Sequence, residues 1–168
     1  MKFRKLEGPL IDVRSPDEYY KGNMANSINI PLFDNEERVI VGTIYKNKGR
    51  EKAVIQGLAF IENKIDNLLN DLFDIFNMYK EKCSESQIKE PTLRIYCARG
   101  GMRSTSISWL LEKFELKSIT LKGGYKSYRK WTLDCFKKNW KIVVIGGKTG
   151  TGKTKLLHLM DRNNYQII

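Results

Sequence analysis

The chain has 168 residues, of which 41% are hydrophobic and 29% charged, and a formal net charge of +11; that length supports one well-buried core and is short for a second complete domain. No apolar stretch approaches a membrane span and no apolar run follows Met1-Lys2-Phe3-Arg4-Lys5, so no membrane partner and a cytoplasmic location are expected. Cys83, Cys97 and Cys135 are odd in number, widely spaced and without a Cys-x-x-Cys pair, which argues against a disulfide partner and against a zinc site; no metal is expected.

In chain order, Leu10-Ile11-Asp12-Val13 reads as a short buried strand. Ser15-Pro16-Asp17-Glu18 is a capping box with proline at the first helical position, opening a short helix through Tyr20. Ser27-Ile28-Asn29-Ile30 is the next strand, stopped by Pro31, and Asp34-Asn35-Glu36-Glu37 opens another helix in the same capped manner. From Leu58 through Ile61, Ile65, Leu68, Leu69, Leu72, Ile75, Phe76 and Tyr79 the apolar spacing predicts one helix of about six turns with a core-facing stripe. Residues 83–91 are polar and read as a loop. A strand at Leu93–Tyr96, a helix presenting Ile107, Leu110, Leu111 and Phe114, a strand from Ser118 to Leu121, and a basic, aromatic helix after Gly123-Gly124-Tyr125 follow. Short strands alternating with helices imply an α/β fold with a parallel sheet covered on both faces.

The segment Tyr96-Cys97-Ala98-Arg99-Gly100-Gly101-Met102-Arg103-Ser104 places a cysteine at a strand end, a glycine turn after it, and an arginine before an amphipathic helix starting near Ser104. Gly100 and Gly101 let backbone N–H groups turn inward, the helix adds its positive end, and Arg103 adds a fixed charge. Such an anion loop depresses a thiol from about 8.5 and favours the nucleophilic form. Cys97 and Arg103 are therefore the candidate catalytic residues, with Ala98, Arg99, Gly100, Gly101, Met102 and Ser104 as the rest of the loop. The spacing Cys97-x5-Arg103 suits a cysteine phosphatase as well as a sulfurtransferase. A phosphatase also needs a general acid, for which only Asp12 or Asp17 offers itself. Asp12, Arg14 and Glu18 read better as a structural ion-pair and capping set.

Near the C-terminus, an apolar strand at 141–145 leads into Gly147-Lys148-Thr149-Gly150-Thr151-Gly152-Lys153-Thr154. This matches the phosphate-binding loop pattern, with Gly147, Gly150, Gly152, Lys153 and Thr154 as its site residues. His158 falls on the following helix, without a role. Tyr165-Gln166-Ile167-Ile168 resembles the start of a further strand. The motif reads as ancestry rather than as a working nucleotide site.

Residues 1–90 carry 14 Lys and Arg against 15 Asp and Glu, whereas residues 91–168 carry 16 against 4. The excess charge lies in the half with the cysteine loop, which points to a polyanionic partner. Lys122, Lys126, Arg129 and Lys130 interleave with Tyr125, Tyr128, Trp131, Phe136 and Trp140, a mixture suited to a single-stranded RNA loop. Trp131 and Trp140 are expected to be largely buried.

With Ile11-Asp12-Val13-Arg14-Ser15-Pro16, Asn29-Ile30-Pro31 and the cysteine loop together, the chain resembles a rhodanese-type sulfurtransferase. Asn35-Glu36-Glu37-Arg38, Val41-Gly42-Thr43-Ile44-Tyr45-Lys46, the cysteine loop, and Leu121-Lys122-Gly123-Gly124-Tyr125-Lys126 with Tyr128-Arg129 resemble the bacterial tRNA 2-selenouridine synthase family. The resemblance implies a rhodanese-like domain over 1–135 and the first strand, P-loop and helix of an incomplete P-loop domain over 136–168. It implies a transferase that replaces sulfur by selenium in the wobble 2-thiouridine of a tRNA anticodon. Selenophosphate is the implied co-substrate, geranyl diphosphate serves an S-geranylated route, and no cofactor is tightly bound. Cys97 would be the nucleophile or chalcogen carrier. Lys21-Gly22-Asn23-Met24-Ala25-Asn26 departs from the histidine and proline usual in rhodaneses. Family members also continue through a whole P-loop domain. A generic rhodanese sulfurtransferase, or a C-terminally truncated, non-catalytic RNA-binding remnant, is the alternative.

Overall fold

The computed structural model describes residues 3, 6–85, 91–139, 141 and 143–160. They fall into two compact units, Met1–Cys135 and Phe136–Ile168. In the first, strands β1 (Leu10–Asp12), β2 (Ser27–Asn29), β3 (Leu93–Tyr96) and β4 (Ser118–Thr120) form one sheet in the order β2-β1-β3-β4. Every pairing is parallel. Helix α1 (Pro16–Tyr20) joins β1 to β2; α2 (Asn35–Lys48), α3 (Arg50–Glu62) and α4 (Ile65–Glu85) join β2 to β3; α5 (Met102–Lys113) joins β3 to β4, and α6 (Gly124–Phe136) follows.

Strand alternation divides the core between the two faces. Ile11, Val13, Leu93 and Ile95 pack with Leu68, Leu72 and Phe76 of α4 and with Ile107 and Leu111 of α5. Leu10 and Tyr96, with Met24 and Leu121, pack on the other side against Tyr125 and Tyr128 of α6. The chain leaves β1 toward one edge of the sheet and leaves β3 toward the other. The crevice beyond their carboxyl ends is thus a topological switch point, where parallel α/β sheets bind ligands.

Both capping boxes form: Ser15 with Glu18 begins α1, and Asp34 with Glu37 begins α2. The single helix predicted through Leu58 and Tyr79 is two helices, with the break at Asn63 and Lys64. There the Lys64 amide turns back to the Ile61 carbonyl at 2.9 Å. The Lys64 ammonium pairs with Glu37 and lies 5.9 Å from the Phe33 ring centre. The break thus falls where Asn63 caps α3 and Lys64 makes tertiary contacts. The loop predicted from Cys83 begins later, since Cys83, Ser84 and Glu85 belong to α4; residues 86–90 lie outside the described ones.

In the second unit, α7 (Lys153–Leu159) follows the glycine-rich loop and carries His158. The strand predicted at 141–145 does not form over its described residues. Val143 and Val144 are 82% and 84% exposed, and no strand among the described residues offers them a ladder. Ile142 and the segment 165–168 lie outside the described residues. Among the described residues, no helix is long and apolar enough to cross a membrane.

Candidate active site

Cys97 follows β3 directly and is 3% exposed. Burial by itself pushes its thiol up, but the Ser104 hydroxyl and the backbone amides of Arg99, Ser104 and Gly101 outweigh that and hold it below its ordinary value. Ser104 Oγ lies 3.2 Å from Sγ, and Ser104 is fully buried. The Gly101 carbonyl lies 3.8 Å from Sγ and 3.1 Å from Ser104 Oγ, where it accepts the thiol or hydroxyl proton while Cys97 is neutral; the single Ser104 proton is given to Sγ when the thiol ionises. Helix α5 begins at Met102 with Gly101 as its N-cap, two residues before the expected start. Its positive end therefore falls within the loop.

The loop is held from outside by the turn into α6. The Tyr125 amide donates to the Cys97 carbonyl at 2.8 Å and the Lys126 amide to the Ala98 carbonyl at 3.0 Å. With the Cys97 and Ala98 carbonyls drawn outward, the amides that follow are left to face the sulfur. Gly100 and Gly124 make this fit possible. Gly100 has φ +65, and a Cβ there would lie 2.5 Å from the Leu121 carbonyl oxygen; Gly124 has φ +56, and its Cβ would lie 2.3 Å from the Cys97 oxygen and 2.4 Å from the Gly100 nitrogen. Only glycine meets both demands. Arg99, Gly101 and Met102 are exposed.

Arg103, the loop's last residue, places Nη1 2.6 Å from Glu18 Oε2 and Nη2 3.4 Å from Oε1. Burial would raise the Glu18 carboxyl, but Arg103 foremost, with the Ser15 amide and Arg38, brings it down to about 2. Glu18 thus does more than close the α1 capping box. Asp12 and Arg14 form the expected structural pair: Nη2 to Oδ2 is 2.6 Å, and both residues are buried. The Arg14 guanidinium also donates to the Gly22 carbonyl at 2.8 Å and lies 4.0 Å over the Tyr125 ring. Burial opposes its charge, and the Asp12 hydrogen bond and field more than restore it. Bound in this way, Asp12 is poorly placed to be a phosphatase acid.

Lys122, Lys126, Arg129 and Lys130 are all exposed. The last three fall on one face of α6 by their i, i+3, i+4 spacing. Tyr125, Tyr128 and Trp131 form a run of tilted rings with centres 6.1 and 6.2 Å apart. Trp131 is 39% exposed, against the burial expected of it; it sits two turns along α6, beyond the Tyr96 ring on which Tyr125 stacks. Trp140 lies outside the described residues. In the second unit, Gly147, Gly150 and Gly152 all have positive φ, and Thr149 to Thr154 line an open concavity of about 420 Å³. Lys153 Nζ donates to the Gly147 and Lys148 carbonyls of its own loop, at 2.9 and 2.7 Å, while Thr154 is exposed.

Residues 2–131 match the family model of the rhodanese-like domain. The chain belongs to the rhodanese-like family. This rhodanese-like chain is also similar to tRNA 2-selenouridine synthases, as its motifs suggested. It is 36% identical over 154 residues to that of Nitrosomonas europaea, covering 89% of this chain and 37% of the relative. It is 39% identical over 153 residues to that of Proteus mirabilis, covering 90% and 40%. The chain thus spans about two fifths of the length of these curated relatives. Among solved structures, the N-terminal domain of a putative ATP/GTP binding protein from Clostridium difficile 630 superposes with a TM-score of 0.64 at 37% identity, over 79% of this chain and 95% of that one.

Sequence reasoning placed the cysteine and arginine of the rhodanese-like loop but missed two partners. The Glu18 contact to Arg103 joins residues 85 apart in sequence. Gly123-Gly124 was read as a turn, whereas Gly124 is also a packing surface for the loop; the paired glycines were its visible signal.

Proposed function

We propose that the chain is the chalcogen-transferring part of an enzyme of the tRNA 2-selenouridine synthase kind, with the Cys97 thiolate as nucleophile and Arg103 and the loop amides as the seat of an anionic donor. The observation that carries this reading is the convergence of the Ser104 hydroxyl and three amides on a buried sulfur. With thiosulfate as donor, Sγ attacks the outer sulfur, a new S–S bond forms, and the old one breaks with its electron pair leaving on sulfite. Cys97 then holds a persulfide whose negative charge lies where the amides point. In the selenium reaction, selenophosphate is the co-substrate and the acceptor is the wobble 2-thiouridine of a tRNA anticodon. A C–Se bond replaces the C–S bond at C2 of the base, and geranylation from geranyl diphosphate makes the departing sulfur a better leaving group.

The basic face of α6 supports RNA as the acceptor. Its first residues hold the cysteine loop, so RNA lying along Lys122, Lys126, Arg129 and Lys130 stands beside the nucleophile, with Trp131 presented to an unstacked base. Incubation with thiosulfate, followed by intact mass measurement, is expected to show a sulfur adduct that Cys97→Ser lacks. An adduct-free wild-type chain that binds RNA as well as Cys97→Ser does would overturn the enzyme reading. Lys126→Glu with Lys130→Glu is expected to weaken binding to an anticodon-loop RNA and to flatten its logarithmic salt dependence by about 0.7 per cation removed; unchanged anisotropy titrations would move the RNA elsewhere.

A further inference from the structure

Helix α2 opens with Asn35-Glu36-Glu37-Arg38 and carries Gly42 inside a helix of 14 residues, where glycine costs about 1 kcal/mol relative to alanine. The reaction proposed above uses neither Arg38 nor Gly42. A Cβ at Gly42 would stand 2.8 Å from Nη1 of Arg38, one turn earlier on the same face. The glycine is a notch in which the guanidinium lies. From there Arg38 Nε reaches Glu18 Oε1 at 3.5 Å, while Glu18 Oε2 holds Arg103 at 2.6 Å. One carboxylate therefore faces two arginines, the nearer belonging to the cysteine loop and the farther to α2.

We propose that Arg38 is a positioning residue that takes over the Glu18 carboxylate when Arg103 turns to an incoming anion. Before the anion arrives, Glu18 neutralises Arg103. A donor anion or an RNA phosphate entering the loop competes with Glu18 for that guanidinium. The Glu18 side chain is only 21% exposed, so losing its cation with no replacement would be costly. Arg38 supplies the replacement from a guanidinium already seated in the Gly42 notch. Glu18 stays in the α1 cap throughout, because the Ser15 amide donates to Oε2 at 3.2 Å. No covalent bond changes and no proton moves; one ion pair is exchanged for another. The exchange rests on the reading of Cys97 and Arg103 as the nucleophile and its anion seat.

The test alkylates Cys97 of the full chain with iodoacetate and with iodoacetamide, which differ by one negative charge, and takes the ratio of the two rates from mass spectrometry of the Cys97 peptide. Arg38→Gln is expected to lower the ratio about three- to fivefold, the scale of a partly exposed ion pair, with the iodoacetamide rate unchanged. Glu18→Gln, which frees Arg103, raises the ratio. The double variant keeps the raised value, because Arg38 acts only through the carboxylate. Gly42→Ala favours the helix yet fills the notch, so it lowers the ratio with no loss of thermal stability, separating the exchange from a folding defect. A ratio unmoved by Arg38→Gln, or lowered equally in the Glu18→Gln background, overturns the proposal. Protection from iodoacetate by inorganic phosphate, or by a single-stranded oligoribonucleotide, that is weaker in Arg38→Gln identifies the anion as donor-like or RNA; equal protection of both proteins counts against the exchange. A responsive ratio without a thiosulfate adduct would contradict the chalcogen reading and leave the exchange standing; an adduct with an unresponsive ratio does the reverse.

Discussion

The chain contains two glycine-rich loops of similar design, residues 97–103 and 147–154. Each has at least one positive-φ glycine, Gly100 in the first and Gly147, Gly150 and Gly152 in the second, with a basic residue near its end and a helix after it. They differ in what holds them. The cysteine loop starts from a strand inside a parallel sheet, is gripped by the Tyr125 and Lys126 amides, and has its arginine fixed by Glu18. The C-terminal loop follows residues with no strand partner among the described ones, and its lysine is satisfied by the loop's own carbonyls. A glycine pattern thus supplies the turn alone. The anion site is made by the neighbours that draw the Cys97 and Ala98 carbonyls outward and leave amides facing in.

The sharpest way to break this comparison is to add one methyl group against the cysteine loop and one within the C-terminal loop. Gly124→Ala would drive Cβ into the backbone of Cys97 and Gly100 as well as impose a left-handed φ, and is expected to cost about 3 kcal/mol or more in urea unfolding together with Cys97 reactivity. Gly150→Ala has φ +85 but meets nothing within 4 Å, so only the conformational cost remains, about 1 kcal/mol. Equal losses in the two variants would remove the distinction between a supported loop and an unsupported one.

The Glu18 pair sharpens the comparison through pH. Because the Glu18 carboxyl is brought down to about 2 in the fold and titrates near 4.3 when unfolded, its contribution, about 3 kcal/mol at most, is fully present above about pH 5 and is lost as pH falls toward 2. Glu18→Gln should therefore be less stable than wild type at neutral pH, and the two unfolding curves should converge at pH 2. A gap that persists there would assign the difference to the α1 cap instead.

A smaller effect is expected from Ser104→Ala, which removes one donor to the thiolate while the three amides remain. The midpoint of Cys97 alkylation by iodoacetamide should rise, because the Ser104 hydroxyl is the foremost of the groups that lower it. An unmoved midpoint would leave the amides as the whole cause of the lowered value.

Much of the first unit was legible in the sequence, because its strands are short apolar runs and its helix starts carry local signals. Ser15 with Glu18 and Asp34 with Glu37 each close a box within four residues, so neighbours in sequence suffice to predict them. What escaped prediction depends on residues far apart. The break falls at Lys64, whose partners are Glu37 and Phe33, and the engagement of Arg103 answers to Glu18. Apolar periodicity runs straight through the first and is silent on the second. Val143 and Val144 show the converse: β-branched residues that lack a partner ladder among the described residues stay exposed.

The central claim is that the supports around residues 97–103 make Cys97 a stabilised thiolate. The most direct measurement is the pH dependence of Cys97 alkylation by iodoacetamide in the wild-type chain, read at the Cys97 peptide with Cys97→Ser as blank. A midpoint below the free-cysteine value of about 8.5 is predicted; a midpoint at or above it would mean that burial wins over the Ser104 hydroxyl and the amides, and would contradict the account.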